Sequence, residues 1–218
     1  MHCLITGAGR GIGKALATEL SARGFQVTGT RRKGGAGAGN WLTMDLRDPA
    51  SVAAAARAFG DGPLDLLVCN AGVLQDGGQR LDAGYPAAMW AETFAVNVTG
   101  VFLTVQAFLP NLRRAGQARI AIISSDMGSD ARAPGGSYIY RASKAAALNL
   151  GRNLATDLRR DGIAVGIYHP GWVSTDMGGP SAPVSPEASA RGLAERFTDL
   201  SIATTGAFLN YDGRALLF

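Results

Sequence analysis

The sequence has 218 residues, of which 47% are hydrophobic and 17% are charged, and its formal net charge is +4. This length suits one domain with a sizeable core, and the composition excludes a disordered chain. The basic residues fall in short, separate clusters without interleaved aromatic residues, so no nucleic-acid partner is expected. No apolar run predicts a membrane span and no leader peptide is seen, so we expect a cytoplasmic protein. Cys3 and Cys69 lie in apolar runs and are expected to be free thiols.

The first predicted strand, Leu4–Thr6, leads into a glycine-rich turn and then into a helix over Lys14–Arg23. The glycines follow the spacing G-x-x-x-G-x-G through Gly7, Gly11 and Gly13. Small residues let the backbone approach a pyrophosphate, and a helix N-terminus offers amide donors and partial positive charge. The turn therefore predicts a dinucleotide-phosphate site, although a glycine turn without a ligand would read the same.

The second predicted strand, Phe25–Thr30, is followed by Arg31, Arg32 and Lys33. In a dinucleotide-binding fold the end of this strand meets the adenosine ribose. A carboxylate there would bind the 2′-hydroxyl, whereas arginine accommodates a 2′-phosphate. No carboxylate is present, and Arg10 could reach the same region from the glycine turn. NADP is therefore favoured over NAD. NAD stays possible, because these cations could also belong to a solvated loop.

Further strands and helices alternate along the chain. We predict strands at Trp41–Asp45, Leu64–Cys69, Arg119–Ser124, Ala164–Tyr168 and Ala207–Leu209, and helices at Ala50–Phe59, Pro86–Arg114, from about Tyr140 to Arg160, and at Ser185–Leu200. Asp48 and Ser185 are the expected caps of two of these helices. The strands are continuous apolar runs, which is typical of a parallel sheet covered on both faces. The fold class is therefore α/β: one doubly wound Rossmann-type domain over residues 1–218, with a mostly or fully parallel sheet of about seven strands.

Tyr140 and Lys144 are four residues apart in a predicted helix, so their side chains share one face. A nearby ammonium favours the phenolate, and we therefore expect the pKa of Tyr140 to fall towards neutral pH. Tyr and Lys at this spacing also occur on ordinary amphipathic helices, so the neighbouring motifs decide whether the pair is catalytic. Those motifs lie at the predicted carboxyl edge of the sheet, where ligands bind in open parallel folds. The glycine turn, Asn70–Gly72, Ser125 and Pro170–Gly171 all follow strand ends.

Together these features resemble the short-chain dehydrogenase/reductase family over nearly the whole chain. The matching motifs are TGAGRGIG at Thr6–Gly13, Asp45, NAG at Asn70–Gly72, Asn97, Ser124-Ser125, YRASK at Tyr140–Lys144 and PG at Pro170-Gly171. Two stretches, YRASKAAALN and HPGWVSTDMGG, are similar to small carbonyl reductases of the C-factor and Sniffer branch. That branch contains reductases and proteins first known for signalling or development.

The resemblance implies hydride transfer from NADPH to a small carbonyl compound, or the reverse reaction on an alcohol. It implies that Tyr140 donates the proton, that Lys144 lowers the pKa of Tyr140 and binds the nicotinamide ribose, and that Ser125 binds the substrate oxygen. Asn97 would hold the backbone or a water in a relay to Lys144. From its residues alone, a buried asparagine such as Asn97 more often satisfies a local backbone group.

The cofactor contacts that the resemblance implies extend along the whole edge of the sheet. They are Gly7, Gly9, Arg10, Gly11, Ile12, Gly13, Arg31, Arg32, Asp45, Leu46, Asn70, Ala71, Gly72, Tyr140, Lys144, Pro170, Gly171, Val173 and Thr175. No metal site is expected. A homodimer or homotetramer, common in the family, would use the alanine-rich face of the Tyr140 helix and the long Pro86–Arg114 helix, although small residues serve equally for packing on the chain's own sheet.

Two features depart from the family pattern. Fifteen residues separate Ser125 from Tyr140, more than the usual spacing, but the branch named above also has a longer loop, so Ser125 is preferred to Ser124 or Ser129. Tyr138 is a weaker candidate for the proton donor, because the residue four positions later, Ala142, carries no charge that could act on the phenol. The substrate loop, at about 174–190, is short and predicts an open, poorly selective pocket. The alternative function is a dinucleotide-binding redox or developmental signalling protein with little or no turnover.

Overall fold

A computed structural model of the protein describes residues 1–34 and 39–218. The described elements, in chain order, are β1 His2–Ile5, α1 Gly11–Ala22, β2 Gln26–Arg31, β3 Asn40–Thr43, α2 Pro49–Phe59, β4 Leu66–Cys69, α3 Ala87–Phe94, a π-helical turn Ala95–Thr99, α4 Gly100–Arg114, β5 Arg119–Ile123, α5 Tyr138–Leu158, β6 Ala164–His169, α6 Pro186–Asp199 and β7 Phe208–Asn210. The strands form one sheet in the order β3-β2-β1-β4-β5-β6-β7, and every neighbouring pair is parallel. The predicted α/β fold class is confirmed.

Both faces of the sheet are buried, which explains why the strands read as apolar runs. Successive strand residues point to opposite faces. Leu67 of β4 therefore joins the core beneath α2 and α4, whereas Leu66 and Val68 join the core beneath α1 and α6. Cys3 and Cys69 are buried free thiols, as expected.

Most predicted bounds are correct to within one or two residues. Strand β3 ends at Thr43, which leaves Asp45 in the loop beyond the sheet. The two predicted caps are confirmed. Asp48 accepts a hydrogen bond from the Ala50 amide at 2.9 Å, and the Ser185 hydroxyl accepts one from the Ala188 amide at 3.1 Å. These bonds satisfy amides that a helix start otherwise leaves unpaired.

The prediction of one regular helix over Pro86–Arg114 is wrong at its centre, where residues Ala95–Thr99 form a π-helical turn. Asn97 lies in this turn and accepts from the Val73 amide at 2.9 Å. Its Nδ2 donates to the Val73 carbonyl at 2.9 Å and to the Ser143 hydroxyl at 3.0 Å. The widened turn thus brings a polar side chain to a buried position between two other segments.

The helical stretch Ala87–Arg114 is 28 residues long and contains an 18-residue window with a mean hydropathy of 1.4, so by length and composition it could cross a membrane. The expectation that no apolar segment is long enough was therefore wrong. In the fold, α4 packs on α2, β4 and β5. The stretch also carries buried polar side chains at Asn97, Thr104 and Asn111. These features are typical of a core helix.

The start of α1 packs very closely against the neighbouring strand ends. A Cβ atom at Gly13 would lie 2.4 Å from the Gly7 carbonyl oxygen and 2.5 Å from Nδ2 of Asn70. By contrast, a Cβ atom at Gly9 would meet no atom within 4 Å. Only a residue without a side chain fits at position 13.

We expect Gly13→Ala to lower the free energy of unfolding by about 1–3 kcal/mol, because the new methyl group overlaps backbone and a fixed amide. The gain of about 1 kcal/mol in helix propensity is not enough to offset the overlap. Gly9→Ala is the matched control and should change stability little. Urea denaturation of the three proteins measures the difference, and equal midpoints for both variants would contradict this packing.

Candidate active site

A cleft of about 660 Å³ lies along the carboxyl edge of the sheet. The predicted cofactor residues that line it are Gly7, Gly9, Arg10, Gly11, Ile12, Gly13, Arg31, Arg32, Asp45, Leu46, Asn70, Ala71, Gly72, Tyr140, Lys144, Pro170 and Thr175. Gly171 and Val173 do not line it, contrary to prediction. Gly171 packs against the Tyr211 ring, and Val173 is buried where it pairs with Val184.

Hydrogen bonds between the ends of β1 and β4 shape the glycine turn. The Thr6 hydroxyl accepts from the amides of Asn70 and Ala71 at 2.9 and 3.0 Å. Nδ2 of Asn70 donates to the Thr6 carbonyl at 2.9 Å. Arg10, the N-cap residue of α1, makes no side-chain cap hydrogen bond. The first-turn amides of α1 are therefore not capped by it, an arrangement that suits a phosphate.

The opposite end of the cleft is rich in charge. The Arg31 guanidinium lies 4.6 Å from the centroid of the Trp41 ring. Asp45 is bound by Arg47, with Nη2 to Oδ2 at 2.6 Å, and Arg47 also reaches Glu92 at 3.2 Å. The hydrogen bond from Arg47 lowers the pKa of Asp45 to about 2, so this carboxylate is ionised at neutral pH. Arg47 was not predicted from the sequence, although an arginine two residues after Asp45 indicates an ion pair.

Arg10 pairs with Asp176 across the mouth of the cleft, with Nη1 and Oδ2 2.9 Å apart. The bond joins the glycine turn to the substrate loop. That Arg10 reaches the same region as Arg31 stays a prediction. Both side chains are more than 70% exposed, so the pair contributes little to stability.

The first turns of α5 carry the predicted catalytic pair. Nζ of Lys144 lies 5.6 Å from the centroid of the Tyr140 ring, so the predicted shared helix face is confirmed. The same ammonium donates to the Ile123 carbonyl at the end of β5, at 3.0 Å. Tyr140 is 8% exposed and Lys144 is 4% exposed. Two titratable groups are thus buried together at the wall of the cleft.

The expectation that Lys144 lowers the pKa of Tyr140 is wrong for this structure. Burial raises the pKa of Tyr140 to about 12; a hydrogen bond with Ser125 opposes this, and the carboxylates of Asp126 and Asp76 add to it. Burial also lowers the pKa of Lys144 to about 8. The physical reason is the same for both groups, since each charged form loses its hydration in the interior.

Ser125 lies close enough to Tyr140 to counteract part of the rise in the pKa of that phenol. Its side chain accepts from the Met127 amide at 3.1 Å and donates to Asp126 at 3.4 Å. The cleft is lined by Ser124 rather than Ser125, and the Ser124 hydroxyl donates to the Lys144 carbonyl at 3.0 Å. The preference for Ser125 as the substrate-binding serine stays a prediction.

Asn97 does not line the cleft and is 1% exposed. Its hydrogen bonds to Val73 make it a holder of backbone, one of the two roles that the resemblance allowed. It remains close to the cleft wall, because a Cβ atom at Gly72 would lie 3.3 Å from Oδ1 of Asn97 and 3.4 Å from Nζ of Lys144. Within residues 1–34 and 39–218, no cluster of His, Cys, Asp and Glu side chains could hold a metal ion.

Comparisons with known proteins show the family to which the chain belongs. The profile of the family described as short chain dehydrogenase matches residues 1–184, so the chain belongs to the short-chain dehydrogenase/reductase family. It is 41% identical over 153 residues to C-signal of Myxococcus xanthus, covering 70% of this chain and 91% of that protein.

Two solved structures share the whole fold. NADPH-bound carbonyl reductase from chicken fatty liver has a TM-score of 0.91 at 32% identity, with 100% of this chain and 98% of that one covered. The carbonyl reductase Sniffer of D. melanogaster has a TM-score of 0.92 at 29% identity, with 100% and 99% covered. The family resemblance read from the motifs is confirmed.

Burial of the Lys144 ammonium predicts a stability cost at this site. We expect Lys144→Met to raise the free energy of unfolding by about 1–3 kcal/mol near pH 7, because the pKa of the lysine is lowered to about 8 on folding. Between that value and its ordinary pKa, the unfolded chain binds more protons than the folded one. The free energy of unfolding of the wild type therefore rises as the pH increases between these two pKa values. The difference in free energy of unfolding between Lys144→Met and the wild type becomes smaller over the same range.

Urea denaturation near pH 7 and near pH 10 tests this expectation. Lys14→Met, which removes an exposed ammonium, is the matched control and should show no such pH-dependent difference. A Lys144→Met variant that is less stable than the wild type near neutral pH would show that the Ile123 hydrogen bond outweighs the cost of burial.

Proposed function

We propose that this protein is an NADPH-dependent carbonyl reductase that converts a small carbonyl compound into an alcohol, or catalyses the reverse reaction, with Tyr140 as the proton donor or acceptor. The observation that carries this proposal is a single cleft lined by both the glycine turn at the start of α1 and the buried Tyr140–Lys144 pair. Family membership and the NADPH-bound carbonyl reductase from chicken support it.

The residues present fit a dinucleotide. Gly13 leaves no room for a side chain beside the turn, and the start of α1 offers amides and partial positive charge to a pyrophosphate. Arg31 and Arg32 line the opposite end, where they suit a 2′-phosphate better than a ribose hydroxyl. These positions favour NADP over NAD, and NAD stays the alternative cofactor.

When bound, the reduced nicotinamide supplies a hydride to the carbonyl carbon. The phenol of Tyr140, with its pKa of about 12, is protonated at neutral pH and can donate its proton to the alkoxide oxygen that forms. Ser125, which lies next to Tyr140, would bind the same oxygen and orient it. Lys144, at the cleft wall, would hold the ribose hydroxyls next to the nicotinamide. A proton moved from Tyr140 to the substrate is then replaced from solvent.

A second candidate function is a signalling role in which the protein binds the dinucleotide but turns over little. The similarity to C-signal of Myxococcus xanthus favours it. The buried Tyr140–Lys144 pair favours catalysis instead, because burying an ammonium is costly and is retained most often where chemistry uses it. The cytoplasmic location and the homodimer or homotetramer stay predictions.

Tyr140→Phe tests the proposed chemistry. We expect kcat for NADPH oxidation with p-nitrobenzaldehyde or menadione to fall at least about 100-fold, because the general acid is lost, while NADPH affinity changes little. Tyr138→Phe is the matched control, since Tyr138 is 38% exposed on the same helix and packs against Tyr85.

Two outcomes would count against the reductase proposal. Full activity in the Tyr140→Phe protein would remove Tyr140 from the mechanism. A wild-type protein that binds NADPH but reduces no member of a broad panel of carbonyl compounds would favour the signalling role.

Cofactor preference is tested at Arg31. We expect Arg31→Asp to weaken NADPH binding by about 10–100-fold, because a charge-assisted bond to the 2′-phosphate becomes a repulsion, and to weaken NADH binding far less. Lys33→Asp makes the same change of charge at an exposed position that does not line the cleft. Dissociation constants for both cofactors provide the measurement, and equal losses would remove the basis for an NADP preference.

A further inference from the structure

The start of α5 is capped by a residue that lies far away in the sequence. Ser137 precedes the helix with a left-handed backbone, φ 44°, and makes no side-chain cap hydrogen bond. Instead, Oδ2 of Asp76 accepts from the Ile139 amide at 2.8 Å and from the Tyr140 amide at 3.2 Å. Asp76 follows β4, so it ties the segment after Asn70–Gly72 directly to the backbone of Tyr140.

A helix cap alone does not require a charge at this position. Ser, Thr or Asn would accept the same amide hydrogen bonds. Asp76 is 1% exposed, its Oδ1 has no hydrogen-bond partner, and no basic side chain in the described residues forms an ion pair with it. A buried carboxylate with so few partners is costly unless its charge has a use. The charge therefore calls for an explanation beyond capping.

The charged and titratable groups around Tyr140 come from several elements that pack on α5. Asp126 acts on Tyr140 together with Asp76, and Lys144 lies on the same helix face. Further charged or titratable groups on α5 and on the elements that contact it include Arg141 of α5, His169 at the end of β6 and Glu92 of α3. Arg141 donates to the carbonyls of Gly136 and Met127, and Glu92 is bound by Arg47. These two groups are therefore engaged elsewhere.

Asp76 differs from Asp126 in its partners. Asp126 is paired with Arg132, so one cation offsets part of its charge, and Nε2 of His169 lies 3.5 Å away. Among the described residues, the groups that offset the negative charge of Asp76 are the amides of Ile139 and Tyr140, together with the positive end of the helix dipole. It acts on Tyr140 through a buried region, where screening by water is weak.

We propose that Asp76 is a positioning residue for the proton donor: it fixes the backbone of Tyr140 through the first turn of α5, and its negative charge holds the Tyr140 phenol in the protonated form. The inference rests on the proposed reductase function. A protonated phenol serves carbonyl reduction, whereas alcohol oxidation needs the phenolate. With Asp76 ionised, carbonyl reduction therefore continues to a higher pH, and alcohol oxidation begins only at a higher pH.

Asp76→Asn separates the two parts of this role, because its amide oxygen can still accept from both backbone amides while the charge is lost. We expect the midpoint pH for the rise of kcat/KM in the oxidation of p-nitrobenzyl alcohol with NADP⁺ to fall by at least about 0.5 unit. The unfolding temperature should stay close to that of the wild type. Asp76→Ala, which also loses the cap, should lower the unfolding temperature and kcat together.

A second readout does not depend on turnover. The tyrosinate absorbance of a protein minus that of the same protein with Tyr140→Phe reports the titration of Tyr140 alone. This difference is measured with Asp76 and with Asn at position 76, and its midpoint pH should be lower in the Asp76→Asn protein. If Asp76→Asn does not fold, Asp76→Ser supplies a cap without charge for the same measurements. A midpoint that does not move in either readout would overturn the inference. A wild-type protein without turnover would overturn the proposed reductase function and leave the absorbance titration to decide the role of Asp76.

Discussion

The hydrogen bond from the Lys144 ammonium to the Ile123 carbonyl connects the functional helix to the centre of the sheet. It holds α5 against the end of β5, where the Ser124 hydroxyl donates to the backbone of Lys144. The approach is close enough that a Cβ atom at Gly128 would lie 2.5 Å from the Lys144 carbonyl carbon. Glycine and small hydroxyl side chains are therefore required around this bond. The buried charge of Lys144 is costly, but its hydrogen bond holds the site in one geometry.

The parallel sheet determines where the rest of the cleft lies. All strand ends with polar or glycine residues meet at one edge, because every neighbouring pair runs in the same direction. The strength with which charges interact differs between the two ends of that edge. At the end of the cleft lined by Arg31 and Asp45, the contacts of Arg47 with Asp45 and Glu92 are partly exposed and screened by salt. At the Tyr140 end the groups are buried, so each charge has a larger effect on its neighbours.

Local patterns predicted much of this protein. The parallel sheet of seven strands, the glycine turn and the placement of Tyr140 and Lys144 on one helix face follow from apolar runs, from residue spacing and from the resemblance that the motifs carry. The π-turn at Ala95–Thr99 was not predictable, because hydrophobic periodicity cannot distinguish it from a regular helix. The length of the apolar segment Ala87–Arg114 was underestimated from the sequence, although α4 packs on β4 and β5 as a core helix does.

The sequence by itself determined the fold class, the family and the residue types along the cleft, because these depend on local propensity and on motifs of short span. Only the tertiary structure decided the ionisation of Tyr140 and Lys144, since burial depends on everything packed around them and outweighs their proximity. It alone also showed that Asp76 caps α5 across 64 residues and that Asn97 binds the Val73 backbone. Contacts between distant segments have no local signature, so folding has to bring them together before they can be read.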